Sequence, residues 1–254
     1  MELEGKAAIV TGASRGVGKQ TALRLAAGGC SVLVNYSQSA DAAEQVAKQA
    51  ESEGVQAIPF RADVSSDADC RAMVAEATSA FGRLDILVNN AGTTRFIDHR
   101  DLDGVTDDAW DEILGVNLKG PFQCTRAARE ALQASGNAEV VMTSSVAGIA
   151  GTGSSIPYCA SKAGLNILTV SLARVLGPSV RVNAVAPGFI DGEWLAQGLG
   201  AAYEPIKKAM QDKSPLGRVC TPDDVAQTIL AVITGSDLVT GHVLPVEGGM
   251  LIGG

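Results

Sequence analysis

Tyr158 and Lys162 stand four residues apart where a helical pattern begins, so both side chains leave one face of that helix. A tyrosine hydroxyl near its reference pKa of about 10 is a poor acid–base group at neutral pH. A neighbouring ammonium stabilises the phenolate and brings the group into a useful range. The spacing recurs at Tyr203 and Lys207, so it carries little by itself. Context separates the two. Ser145 lies upstream of Tyr158, just beyond a run of strand character, and its hydroxyl can reach the same pocket. Tyr203 has no serine at that distance, and Pro205 interrupts its first turn. Ser145, Tyr158 and Lys162 therefore read as a proton-handling set for a carbonyl or an alcohol. Tyr203 and Lys207 read as an ordinary surface pair.

A second constellation sits near the start of the chain. A short apolar run ends in Thr11-Gly12-Ala13-Ser14-Arg15-Gly16-Val17-Gly18, and a helix opens at once. Glycines there permit a tight turn and let backbone approach a pyrophosphate, while the helix start offers free N–H groups and a positive dipole end. The G-x-x-x-G-x-G spacing differs from G-x-G-x-x-G, so its place between first strand and first helix carries the nucleotide reading. In an enzyme using NAD, a ribose-binding carboxylate is expected roughly 20 residues beyond the first glycine. That place reads Asn35-Tyr36-Ser37, without an acid, and Arg15 stands in the turn. A guanidinium and small hydroxyl donors suit a 2′-phosphate, so NADP(H) is the expected cofactor.

Apolar runs of strand length alternate with stretches of helical period, the pattern of stacked βαβ units on a parallel sheet. Strands are expected at Ala7–Thr11, Ser31–Tyr36, Gln56–Arg61, Ile86–Asn89, Glu139–Ser144, Val180–Ala186 and His242–Pro245. Helices are expected near 15–27, 40–53, 67–81, 107–134, 157–176 and 222–234. No low-complexity linker divides the chain, which predicts one α/β domain over 1–254. The segment 190–213 interrupts the rhythm with Gly192, Gly198 and Gly200 and follows Pro187-Gly188, so a mobile lid is expected there.

The bulk composition removes several function classes. A formal net charge of -8 without a basic run argues against nucleic acid as a partner. No window is apolar enough for a membrane span, and the opening Met1-Glu2-Leu3-Glu4 is not expected to act as a secretory leader. Five scattered cysteines fit free thiols in a reducing, cytoplasmic setting. His99 and His242, the only histidines, suggest no metal site.

Together the motifs Thr11-Gly12…Gly16-Val17-Gly18, Asp63-Val64, Asn89-Asn90-Ala91-Gly92, Asn117, Ser144-Ser145, Tyr158…Lys162 and Pro187-Gly188 resemble the short-chain dehydrogenase/reductase family over nearly the whole length. The resemblance leans toward 3-oxoacyl-(acyl-carrier-protein) reductases. It implies a Rossmann-like doubly wound domain, with a seven-stranded parallel sheet in the order 3-2-1-4-5-6-7, helices on both faces, and a homotetramer or dimer. It implies hydride transfer between NADP(H) and a small ketone or secondary alcohol. Tyr158 would be the general acid, and Ser145 would hold the substrate oxygen. Lys162 would bind the nicotinamide ribose and lower the pKa of Tyr158. Asn117 would kink its long helix and anchor a water relaying protons through Lys162.

On the cofactor side, the resemblance adds to Gly12, Ser14, Arg15, Gly16, Val17, Asn35, Tyr36 and Ser37 a further set. Asp63 would bind the adenine amino group, and Val64 would give a backbone contact. Asn90, Ala91 and Gly92 would wall the ribose. Pro187, Gly188 and Ile190 would line the nicotinamide, with the Ile190 amide on its carboxamide. Two departures stand out. Gly192 replaces a family threonine, and Leu132-Gln133-Ala134-Ser135-Gly136-Asn137 lacks the basic residues that receive an acidic carrier, which favours a free ketone. Two rival readings are an NAD-dependent sugar or polyol dehydrogenase and a non-catalytic nucleotide-sensing protein.

Overall fold

The computed structural model describes residues 1–252. Its centre is a parallel sheet of seven strands: β1 (Ala7–Val10), β2 (Ser31–Tyr36), β3 (Ala57–Arg61), β4 (Ile86–Asn89), β5 (Ala138–Thr143), β6 (Val180–Pro187) and β7 (Val243–Val246). The order is β3-β2-β1-β4-β5-β6-β7, as the resemblance implied. Helices cover both faces, so β1, β4, β5 and β6 are buried at every position and are mostly apolar, with Glu139, Arg181 and Asn183 among the buried polar exceptions in β5 and β6. The edge strands β3 and β7 carry partly exposed residues instead. Successive side chains point to opposite faces. Ala8 and Val10 of β1 join one core layer, and Ile9 joins the other.

The first layer packs under α1 (Gly16–Ala27), α2 (Ala40–Glu51) and α10 (Pro222–Thr234). The second packs under α3 (Asp67–Phe81), α5 (Gly120–Ser135) and α7 (Ile156–Leu176). Helix starts follow local chemistry. Ser66 caps α3 by accepting from the Asp69 amide, and Thr221 with Asp224 forms a reciprocal capping box on α10.

Three segments carry detail beyond the strand and helix pattern. The helical stretch near 107–134 is continuous and comprises α4 (Asp107–Leu114), a π-turn over Gly115–Lys119, and α5, with the turn centred on Asn117, where the resemblance implied a kink. A short helix α6 (Ala147–Ala150) follows β5, too brief to leave a periodic signature. The segment 190–213 is largely helical, with α8 (Glu193–Leu199), a 3₁₀ turn at Gly200–Ala202, and α9 (Tyr203–Lys213). Pro205 lies in the first turn of α9, where an amide has no intrahelical partner, so it is tolerated.

Strand order reverses direction between β1 and β4, and a crevice opens at their carboxyl ends. The turns leaving those strands touch. A Cβ on Gly12 would lie 2.9 Å from the Ala91 Cα, and Gly12 itself adopts a positive φ of 61°. Gly18 in α1 is equally constrained, because a Cβ there would collide with the Gly12 carbonyl and the Asn90 side chain. Gly16 needs only its left-handed backbone, since a Cβ there would meet open space. Gly18→Ala is therefore expected to cost about 1–3 kcal/mol of stability by overpacking, more than Gly16→Ala. Chemical denaturation of the two variants checks this, and equal losses would sink the packing argument.

Candidate active site

Strand β5 delivers Ser144 and Ser145 to the crevice, and α7 delivers Tyr158 and Lys162. Ser155 sets the start of α7 by accepting from the Tyr158 amide at 3.4 Å. That cap places Tyr158 in the first turn and Lys162 one turn later on the same face. Ser145 Oγ accepts from the Ala147 amide at 3.1 Å and donates to the Pro187 carbonyl at 3.5 Å, and it lies near enough to the Tyr158 hydroxyl to draw its pKa down. Lys162 Nζ donates to the Thr143 carbonyl at 2.7 Å and lies 5.7 Å from the centre of the Tyr158 ring.

Asn117 occupies the middle of the π-turn and is buried. Its Oδ1 accepts from the Thr93 amide at 2.8 Å, and its Nδ2 donates to the Thr93 carbonyl at 2.9 Å and to Ser161 Oγ at 3.2 Å. Ser161 in turn donates to the Tyr158 carbonyl. One side chain thus fastens the segment after β4 to the helix carrying Tyr158 and Lys162. Both ends of that amide are engaged in the protein.

Burial pushes Tyr158 up to about 12, with the Ser145 hydroxyl pulling it back only partly. Burial also pushes Lys162 down to about 8. In the chain alone, burial outweighs the pull of Ser145 on Tyr158. The ammonium is held on the Thr143 carbonyl, and desolvation of the phenol prevails. Tyr158 consequently keeps its proton at neutral pH.

The catalytic groups share one cleft of about 1710 Å³ with the glycine turn. At its far end the structure corrects the reading of Asn35. That side chain is buried beneath the turn, where its Oδ1 accepts from the Gly12 amide at 3.1 Å. Its Nδ2 donates to the Ala62 carbonyl at 3.1 Å and the Phe60 carbonyl at 3.3 Å. Asn35 holds the turn in place, and position 35 is not where a ribose-seeking carboxylate would act. The next residues, Tyr36 and Ser37, line the cleft with Ser14, Arg15, Gly16 and Val17.

Arg61, which the sequence did not single out, pairs in register with Tyr36 across β2 and β3. Its Nε donates to the Ser37 carbonyl at 3.2 Å, so a second guanidinium lines this end of the cleft. Only the strand register could have revealed it.

Asp63 uses Oδ1 for the amide and hydroxyl of Ser65, at 2.9 and 2.8 Å, and leaves Oδ2 free of those bonds. The Val64 carbonyl accepts from Gln123 and Cys70, so only its amide remains for a ligand. Asn90 spends its side chain on the Thr11 and Gly12 carbonyls, while Thr11 Oγ1 accepts from the Asn90 and Ala91 amides. Gly92 faces Lys162 and Asn117, with a Cβ position 3.8 Å from Nζ and 3.4 Å from Oδ1. The Pro187 carbonyl accepts from Val146, and Gly188 bonds to the Val246 carbonyl. Phe189 O and Asp191 N pair with Cys220, so the Ile190 amide between them points the opposite way, towards the cleft.

Tyr203 and Lys207 prove to be more than a surface pair. The Tyr203 hydroxyl donates to the Asp191 carboxylate and accepts from the Gly192 amide at 3.1 Å. Lys207 Nζ lies 2.7 Å from the same carboxylate, holding it below the usual carboxyl range with help from Tyr203. The pair anchors α9 to the segment leaving β6, which nothing in the local sequence signalled.

The cleft fits a dinucleotide by its own shape. Glycines at 12 and 18 remove side chains where backbone must close in, and Gly16 opens onto empty space before the first amides of α1.

Comparison with known proteins agrees with that geometry. The family model for enoyl-(acyl carrier protein) reductase matches residues 12–251. The chain is 45% identical over 246 residues to the granaticin polyketide synthase ketoacyl reductase 2 of Streptomyces violaceoruber, covering 97% of this chain and 96% of that protein. It is 38% identical over 247 residues to the 3-oxoacyl-(acyl-carrier-protein) reductase of Staphylococcus aureus, covering 96% and 98%. Among solved structures, a short-chain dehydrogenase/reductase from Burkholderia xenovorans aligns with a TM-score of 0.90 at 39% identity, covering 98% of each chain. An NAD+-bound xylitol dehydrogenase aligns with a TM-score of 0.89 at 28% identity, covering 98% of this chain and all of the other, 100%.

The position of Asn35 generates a stability test. Asn35→Asp removes both buried donors and sets a carboxylate against main-chain carbonyls, so a loss of about 1–3 kcal/mol is expected. Ser37→Asp, at an exposed position of the cleft rim, is expected to unfold at nearly the parent temperature. Thermal melts of the two variants decide, and an unaffected Asn35→Asp would contradict the assignment.

Proposed function

The chain belongs to the short-chain dehydrogenase/reductase family, and from that premise we propose that it is an NADP(H)-dependent reductase of 3-oxoacyl-like ketones, run in reverse on the alcohols. The observation that carries this is the presence of Ser145, Tyr158 and Lys162 in the one cleft that begins at the glycine turn, with Lys162 Nζ 5.7 Å from the Tyr158 ring centre. Two hydroxyl donors in that cleft suit a carbonyl oxygen that gains negative charge.

Ser145 holds that oxygen and polarises it. Tyr158, protonated at neutral pH, gives its proton as charge develops. Lys162 supplies a cation beside the phenol and a donor for the ribose. Asn117 keeps Lys162 and Tyr158 in register with the segment after β4, leaving backbone rather than its side chain to hold a relaying water. The bound nicotinamide cofactor supplies or accepts the hydride.

For that cofactor, the turn amides of Ser14, Gly16 and Val17 take the pyrophosphate, while Gly12, whose amide is held by Asn35, gives the backbone room to approach it. Asp63 and the Val64 amide take the adenine, and Ala91 with Gly92 walls the ribose. Pro187, Gly188 and the Ile190 amide take the nicotinamide. Arg15 and Arg61 flank Tyr36 and Ser37, which supports a 2′-phosphate over a bare ribose. That pairing of cations weighs against the polyol reading that the xylitol dehydrogenase likeness suggests. The complete Asn117, Ser145, Tyr158 and Lys162 set weighs against a pure nucleotide sensor.

A free ketone is placed ahead of a carrier-bound one, because Arg126 and Arg129 on α5 each sit beside a carboxylate and the helix end is uncharged. The reading includes one catalytic domain over 1–254 with a lid at about 190–213, in a cytoplasmic homotetramer or dimer. The exposed apolar side chains Phe122, Ile167 and Val175 on α5 and α7 support an assembly of like subunits. No helix among the described residues is long and apolar enough to cross a membrane.

Three outcomes are expected. First, 2′,5′-ADP binds at least about tenfold more tightly than 5′-AMP by calorimetry, a margin of about 1.4 kcal/mol. Tyr36→Asp and Arg61→Ala each shrink that margin, and equal affinities in the parent chain would refute the NADP(H) assignment. Second, Tyr158→Phe slows single-turnover reduction at least ~100-fold while nucleotide binding changes little. Tyr203→Phe acts on binding through the Asp191–Gly192 anchor, and a larger loss of hydride transfer there would mean the wrong tyrosine was chosen.

The third outcome concerns pH. Lys162 loses its proton as pH rises through about 8, whereas Tyr158 keeps its own until about 12. The kcat/KM for NADPH is therefore expected to be level below that point and to fall above it. Lys162→Arg, whose cation does not titrate there, should flatten the upper limb at a lower overall rate. A limb unchanged in Lys162→Arg would assign the titration to another group.

A further inference from the structure

Aromatic residues are scarce in this chain: two Trp, three Tyr and five Phe. Among the described residues none of them is fully buried, and Tyr36, Phe60 and Phe81 pack against the core from its edge. Phe96, Tyr158 and Trp194 line the cleft beside the catalytic groups instead. Leaving large rings part-exposed forgoes burial that would stabilise the fold, so their grouping there points to a ligand.

These three form a row that ends on the catalytic phenol. The Phe96 and Trp194 ring centres lie 6.2 Å apart at 59°, and those of Trp194 and Tyr158 lie 6.5 Å apart at 50°. Phe96 keeps 36% of its surface exposed and Trp194 41%. The position of Phe96 is built rather than incidental. The Ile97 amide donates to the Ser154 carbonyl at 2.9 Å, and Thr94 and Ser154 share a hydroxyl bond at 2.6 Å. Gly198 in α8 lacks the Cβ that would otherwise collide with the Phe96 ring. That glycine is thus accounted for by close packing, where the sequence suggested only hinge freedom.

The charges nearby narrow the ligand. Arg95 is paired with Glu112, and Glu193 lines the cleft beside Trp194. The lining cations Arg15, Lys19 and Arg61 belong to the glycine-turn end, and Lys162 is held by the Thr143 carbonyl. A carboxylate on the substrate finds no free partner beside the aromatic row. Leu195, Leu199, Ile206 and Met210 complete an apolar wall. Since Phe96 and Trp194 touch each other, a ligand ring lies against their open faces and not between them. Trp194 also touches the Tyr158 ring, so a group resting on it is bonded close to the reacting carbonyl.

We propose that Phe96 and Trp194 are specificity-determining residues that select neutral ketones carrying an aromatic ring within one or two bonds of the carbonyl. This rests on the reading of Tyr158 as proton donor to a ketone. Edge-to-face or offset contact with two rings favours an aromatic group over a saturated one of equal size.

Phenylacetone and cyclohexylacetone test it, because they share a carbon skeleton and differ in the ring while the carbonyl is unconjugated in both. The parent enzyme with NADPH is expected to prefer phenylacetone at least about tenfold in kcat/KM. Trp194→Leu and Phe96→Leu are each expected to bring the ratio towards one, chiefly by raising KM for phenylacetone. A parent ratio near one, or a ratio unchanged in both variants, overturns the proposal. A binding readout separates this from the reaction itself. In Trp110→Phe, where Trp194 is the sole indole, phenylacetone is expected to quench the fluorescence of the NADP+-bound protein and cyclohexylacetone is not. Selective quenching with neither ketone reduced would leave the aromatic site standing and refute the ketone-reductase reading. Reduction of both ketones alike without selective quenching would do the reverse.

Discussion

The close approach of the turns that leave β1 and β4 is the constraint on which the rest depends. Two neighbouring strands whose chains depart to opposite sides leave a crevice, and that crevice must be held open while its backbone polar groups are satisfied. Thr11 and Asn90 bridge the two turns, and Asn35 reaches from β2 to fix Gly12 from below. None of these side chains needs to touch a ligand. Their work is to hold main chain at a spacing that only Gly12 and Gly18 permit. The amides at the start of α1 then face the cleft because nothing inside the protein claims them.

Asn117 performs the equivalent task at the chemical end. A regular helix would carry that residue past the site, whereas the π-turn holds it where both ends of its amide engage Thr93 and Ser161. The loop after β4 and the helix bearing Tyr158 and Lys162 become one body. Burial then sets the protonation of that body, with the phenol raised and the amine lowered. Desolvation disfavours the charged form of each group, so the two shifts run in opposite directions.

The segment beyond β6 is fixed by a later helix. Where the family carries threonine, Gly192 supplies no hydroxyl, yet its amide is taken by the Tyr203 hydroxyl, itself fixed by Asp191 and Lys207. The interaction comes from α9 and not from the neighbouring residue. Phe96 and Trp194 reach each other in the same manner, from the loop after β4 and the first turn of α8. The Phe96–Trp194 pair joins segments that approach because the sheet brings the ends of β4 and β6 to one edge, whereas the Tyr203 contacts fold the connection after β6 back on itself.

Much of the architecture was legible from the chain alone, since backbone periodicity acts over a few residues. Mostly apolar runs declared buried parallel strands, the glycine turn declared its place before α1, and one helix turn made Tyr158 and Lys162 neighbours. What the local pattern could not supply was phase and partnership. It could not tell that Asn35 points inward and Tyr36 outward, because that depends on how β2 sits between β1 and β3. It could not pair Arg61 with Tyr36 or give Tyr203 a carboxylate partner. Those outcomes are decided by strand register and by non-local packing, where the energy of a contact belongs to two distant segments and is written in neither.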